Sequence, residues 1–172
     1  GVVFYVGQGP DDSPGYYPGK GILSIRGYAV ALNNVSEDDT QWGIYGQFDG
    51  LTSGSDTDFQ GYNNTIKMKS KNYDVFNKAI NYSVSLPSSG NSGWYLPSCG
   101  QLRYMNDKHS EEISRLILEN IIVKAGGQEL SNYTYWEYWS STEQLAQNAY
   151  YERMGSGHGG LSKSYKLCVR SV

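Results

Sequence analysis

Two aromatic-rich blocks near the end of the chain constrain its fold more than anything that precedes them. The first is Tyr138-Trp139-Ser140-Ser141-Thr142-Glu143, and the second is Cys168-Val169-Arg170-Ser171-Val172. Between them run Tyr151-Glu152-Arg153-Met154, a small-residue stretch from Gly155 to Gly160, and Leu161-Ser162-Lys163-Ser164-Tyr165. A bulky frame on either side of small, polar and aromatic residues is the arrangement of a recognition segment carried on a rigid scaffold.

Composition bounds the class. A chain of 172 residues is long enough to bury a core, and a single domain over residues 1–172 is expected. Sixteen Tyr and four Trp against four Phe supply rings that pack on one side and hydrogen-bond on the other. Twenty-one Gly, with abundant Ser and Asn, argue for a loop-rich fold. A net charge of −3 with no basic run argues against a nucleic-acid or anionic-membrane partner. No apolar stretch approaches the roughly 20 residues that span a bilayer, so no membrane insertion is expected. The chain opens directly on Gly1-Val2-Val3-Phe4-Tyr5 without a signal sequence, as expected of a processed C-terminal domain of a longer protein. Cys99 and Cys168 are compatible with one disulfide in an exported protein or with two buried thiols. Sequons at Asn34, Asn63, Asn81 and Asn132 arise by chance in an Asn/Ser-rich chain.

The periodicity predicts a strand over Val2 to Val6, one or two strands within Ile22 to Leu32, and a polar turn over residues 36–43 ending on Trp42 as an anchor. Residues 46–62 read as a long surface loop. A helix is expected from about Asn63 to Tyr82, then a turn-rich linker and a short buried strand at Gly93 to Ser98, with Ser98 as N-cap of a second helix. Leu102, Met105, Ile113, Leu116, Ile117, Ile121 and Val123 continue helical spacing, broken near residues 107–110 and ended by Gly126-Gly127. From Tyr133 the pattern turns to strands over 136–141, 149–154 and 164–172. Helices followed by strands predict an α+β architecture with an antiparallel sheet.

The chemistry on offer is thin. His109 sits in a polar inter-helix turn and His158 among glycines, neither beside a group that would orient a catalytic imidazole. Two distant cysteines and isolated histidines do not make a zinc site. Asp49, Asp56 and Asp58, or Glu37, Asp38 and Asp39, miss the spacing of a calcium loop, so no metal and no cofactor are expected. The glycines of 155–160 open no helix and cradle no phosphate. Glu137, Glu143 and Glu152 are the carboxylates nearest the segment and read as structural or rim charges rather than a glycosidase pair. Binding fits better, because Tyr, Ser, Gly and Asn combine rigid ring area with adaptable hydrogen bonding.

Gly93-Trp94-Tyr95-Leu96-Pro97-Ser98, Tyr138 to Glu143, Asn148-Ala149-Tyr150, Lys163 and Val169 to Val172 together resemble a bacterial C-type-lectin-fold domain family. Val2 to Val6 and Thr40-Gln41-Trp42-Gly43 are similar to its exported gut-bacterial members, so the likeness spans nearly the whole chain. It implies a C-type lectin fold, with close termini, two helices and a twisted antiparallel sheet. Relatives include surface adhesins, formylglycine-generating enzymes and variable proteins of diversity-generating retroelements. Cys99 and Cys168 do not match the paired copper cysteines of the enzyme branch, and the calcium-dependent sugar-binding motifs are absent. In the retroelement branch, randomised adenine-rich codons reach Gly, Ser, His, Leu and Tyr. Those types crowd into Gly155 to Ser162 with Ser164 and Tyr165, while Trp139, Glu143, Glu152, Met154, Lys163 and Lys166 hold the frame.

Strand alternation then assigns Tyr150, Glu152 and Met154 inward, where Glu152 needs a partner, and Tyr151 and Arg153 outward. The expected surface, within residues 133–170, comprises Tyr151, Arg153, Gly155, Ser156, His158, Gly160, Leu161, Ser162, Ser164 and Tyr165. The expectation is a non-enzymatic ligand-binding or adhesin domain on a bacterial surface or phage virion, holding a protein or glycan. The alternatives are a formylglycine-generating-like oxidase and a structural pilus-tip module.

Overall fold

The computed structural model describes residues 1–87, 89–107, 112–130 and 136–172. His109, Asn132 and residues 133–135 of the expected surface lie outside the described residues. Its centre is β4 (Glu137–Glu143), every residue of which after Glu137 is buried. Alternation sends Tyr138 to one side and Trp139 to the other, and two separate apolar cores meet them. One core gathers Phe4, Tyr28, Leu102, Ile122, Tyr138, Met154 and Val172. The other gathers Trp42, Met68, Phe76, Leu96, Trp139, Leu167 and Val169.

Five strands form the main sheet in the order β3 (Ser36–Gln41), β7 (Lys166–Val169), β4, β5 (Asn148–Arg153) and β6 (Gly157–Ser162). A separate pair joins β1 (Val2–Val6) to β2 (Gly27–Val30) antiparallel. Helices complete an α+β architecture: α1 (Gly61–Met68), α2 (Asp74–Ile80), α3 (Cys99–Asp107) and α4 (Glu112–Lys124). Four α-helices among the described residues correct the expected two. The sheet is also mixed, because β7 runs parallel to β4 where Tyr138 meets Cys168. Chain ends do lie together: Gly1 presses on the Val30 carbonyl, and Ala31 donates to the Ser171 carbonyl next door.

Local chemistry explains each departure. The helix expected over 63–82 is split by Asn72, whose φ of 58° is left-handed, a conformation Asn tolerates better than most residues. Ser36–Gln41, expected as a turn, is an edge strand whose polar composition suits an edge. The stretch expected as a buried strand at 93–98 is extended but joins no sheet; Tyr95 exchanges two backbone hydrogen bonds with Val172. Ser98 caps α3 as expected, its Oγ accepting from Gln101 N–H while Gln101 Oε1 accepts from Ser98 N–H, a reciprocal capping box. Gly127 and Gly126 donate to the Ile122 and Val123 carbonyls, which closes α4 in a Schellman motif. The inward line of α4 is Leu118 and Ile122; Leu116, Ile117, Ile121 and Val123 of the expected stripe are exposed.

Candidate binding surface

The frame residues, the exposed Lys166 apart, are occupied in holding the fold. Trp139 donates its indole N–H to the Thr40 carbonyl, and Trp42 donates to Ser140. Ser140 Oγ donates to the Tyr150 carbonyl, and Thr142 Oγ1 donates to Asp58 while accepting from Cys99 N–H. Arg170 is buried, and its guanidinium donates to the carbonyls of Ala31, Leu32, Gln128 and Glu129 and to Asn34 Oδ1. Glu143 and Lys163 form a buried ion pair at 2.5 Å, 1% and 0% exposed. The Glu143 carboxylate also accepts from Asp49 and Gly50 N–H, and Lys163 Nζ donates to the Gln47 carbonyl beneath the Trp42 ring. This pair pins the 46–50 loop from below.

Register divides the expected surface by face. Directly opposed residues share a face, and β5 opposes β6 as Tyr151 to Gly159, Glu152 to His158 and Arg153 to Gly157. Glu152 points inward as expected and finds Asn106 Nδ2. His158 therefore lies on the inward, α3-side face with Glu152, which corrects its placement beside Tyr151 and Arg153. Its Nε2 sits 3.2 Å from Asp56 Oδ2, the carboxylate that Arg103 also holds at 3.0 Å. On the opposite face, Tyr151 packs its ring over Gly159 and against the second core, joined there by Leu161. Arg153 reaches across to its strand partner Glu137, with Nε to Oε1 at 2.8 Å. Tyr151, Arg153 and Leu161 are thus half-buried strand residues with neighbours of their own.

Length divides the surface again. The stretch 155–162, lying between two expected strands, is mostly β6, and six residues of strand put its ends about 17 Å apart. At one end Gly155 and Ser156 form the β5–β6 turn, where Gly155 N–H donates to Asn106 Oδ1. Ser162, Ser164 and Tyr165 stand at the other, where Ser162 and Ser164 hydroxyls share a hydrogen bond of 2.8 Å. Gly160 lies between, with the Gln144 side chain filling the space above it.

Three loops converge on the Tyr165 end. Trp42 N–H donates to the Lys163 carbonyl, Lys163 N–H to Gln147, and Gly46 N–H to Ala146. These bonds bring the 43–50 loop, the β4–β5 turn and the β6–β7 turn side by side. Together they expose Ile44 (56%), Tyr45 (61%), Phe48 (62%), Leu145 (56%) and Tyr165 (58%). Five large apolar side chains are thus exposed on adjoining loops held from beneath. Of these, only Tyr165 belongs to the surface expected from sequence. Ile44-Tyr45 and Phe48 carry a faint sequence signal, as large apolar residues amid glycines with no periodic partner.

The carboxylates near the segment do not converge. Glu152 faces α3, Glu137 lies on the opposite face with Arg153, and Glu143 is bound by Lys163. Neither Cys99 nor Cys168 forms a disulfide, and burial pushes the Cys99 thiol far above its ordinary range. Among the described residues no group of His, Cys, Asp and Glu could hold a metal ion, and no helix is long and apolar enough to cross a membrane. No family model and no curated protein matches the chain. A solved structure does: a fimbrial protein from Bacteroides ovatus ATCC 8483 superposes with a TM-score of 0.70 at 20% identity over 99% of this chain. The likeness is one of fold, and this chain spans 43% of that protein's length.

Proposed function

We propose that this chain is a ligand-binding module, adhesin-like and non-enzymatic, displayed at a bacterial cell surface. The observation that carries the reading is the cluster of Tyr45, Phe48, Leu145 and Tyr165 on three loops tied to one another and to the buried Lys163–Glu143 pair. Rigid rings beside small hydroxyl side chains make a surface for a protein or a glycan. Surface display is supported by the fold shared with a fimbrial protein. That neighbour also favours a second reading, a structural module of a pilus tip with no ligand of its own.

The scaffold is proposed to be a C-type lectin fold, on the strength of the sequence resemblance. Within that family we place the chain in the variable-protein branch. The supporting pattern is that frame residues Trp139, Glu143, Glu152, Met154 and Lys163 are buried, with Lys166 exposed, while Ser156, Gly160, Ser164 and Tyr165 are exposed and His158, Leu161 and Ser162 half-buried. Arrays of glycans and of surface-protein extracts test the module directly. A ligand captured by the native chain and lost on Tyr45→Ala with Tyr165→Ala supports it; a ligand held equally by that variant places the site elsewhere. Sequencing the gene beside a near-repeat that differs at adenines tests the branch.

A further inference from the structure

A groove of about 590 Å³ lies between the 21–27 segment and the 90–95 segment, away from the Tyr165 end of the fold. β7 leaves the Tyr165 turn and carries the chain away from it, to Val172 at the groove. Gly1 lines the same groove, pressed against the Val30 carbonyl and the Trp94 ring. Its walls carry Leu23, Ile25 and Leu86, and Leu23 is 93% exposed. Arg26 stands on the lining and Lys20 beside Gly93. A leucine held that far into solvent over an apolar recess gains nothing in this chain alone.

The fimbrial neighbour indicates what belongs there. This fold accounts for less than half of that chain, so in that protein it is joined to a further stretch of polypeptide. Any such stretch joined to the present chain meets it at Gly1 or Val172, and both stand at the groove. We propose that the groove is the docking face for an adjoining module of the same polypeptide, an apolar plug flanked by carboxylates that face Lys20 and Arg26. The module then sits at one end of the fold while the loop cluster projects at the other. This inference stands independently of what the loop cluster binds.

Hydrogen exchange on the 172-residue chain and on the complete gene product tests it. Amides of 21–27 and 90–95 are expected to exchange more slowly in the complete product, with those of 44–48 unchanged. Leu23→Glu in the complete product should abolish that protection and open the junction to protease. The same substitution in the 172-residue chain should leave its unfolding midpoint unmoved, because the side chain is exposed. Equal exchange in both proteins overturns the proposal, as does a gene that encodes no adjoining module. Protection that appears in the 172-residue chain as its concentration rises also overturns it, in favour of a second copy of this chain.

Discussion

Lys163 and Glu143 illustrate how single residues decide whether the loop surface exists. Each is almost wholly buried, so removing one leaves a charge without its partner in a place water does not reach. Lys163→Met should cost about 3–5 kcal/mol, read as a fall in the urea midpoint, and Lys163→Met with Glu143→Met should recover part of it. Two aspartates of the same loop region respond oppositely to acid. Burial raises Asp49, but hydrogen bonds from Lys71, Gln47 and Tyr73 hold its carboxyl below the ordinary 3.8. Its contribution is present above pH 3.8 and fades as pH falls through the lower folded value. At Asp58 burial outweighs the donors Ser53, Asn64 and Thr142 and raises the carboxyl above 3.8. That contribution is full below 3.8 and is lost as pH rises through the folded value. Unfolding measured across the acid range should therefore show a smaller loss of stability on acidification in Asp49→Asn, and in Asp58→Asn should lack the loss that accompanies rising pH above 3.8. The thiols give a simpler readout. With Cys99 and Cys168 both buried, a disulfide-exchange reagent should label neither in the native chain and both in guanidinium.

At the scale of elements, β6 is the most informative strand because its glycines differ in kind. Gly157 has a φ of 127°, a region almost closed to other residues, whereas Gly159 and Gly160 have ordinary backbone. Gly157→Ala should cost roughly 1–3 kcal/mol. Gly160→Ala meets only the mobile end of Gln144, which can swing aside, so a midpoint close to that of the parent is expected. A diversified segment should therefore vary at 156, 158, 160, 162, 164 and 165 while Gly157 stays fixed; folded members of a library randomised over 155–165 would reveal this in their sequences. The strand itself is not legible in sequence, since four glycines in Gly155–Gly160 carry no alternation, and its pairing with β5 comes from the partner. β3 is hidden for a related reason: Ser-Glu-Asp-Asp-Thr-Gln is strand only because β7 offers it an edge. By contrast β1, β4 and β5, the α3 capping box and the glycine stop of α4 are all readable, because each depends on residues adjacent in sequence.

Across the whole molecule, the expected site reads as one patch in sequence because strand alternation there runs through a segment that folds back on itself. β5 and β6 place Glu152 opposite His158, so His158 turns to the α3 side while Tyr151 and Arg153 face the other way. The length of β6 then separates Ser156 from Ser164. What sequence could not supply is the 43–50 loop, more than a hundred residues from Tyr165 in the chain yet beside it through Trp42, Lys163 and Ala146. This assembly makes a discriminating prediction once a ligand is in hand. Phe48→Ala and Tyr45→Ala, both at exposed positions, should each weaken binding by about 2 kcal/mol if those rings are anchors. His158→Ala, on the far face and beside Asp56, should leave affinity unchanged. Titration calorimetry with the three variants separates the two surfaces. Loss of affinity in His158→Ala with none in Phe48→Ala would move the site to the α3 side, around Asp56 and Arg103, and leave the three-loop cluster as a contact for some other partner.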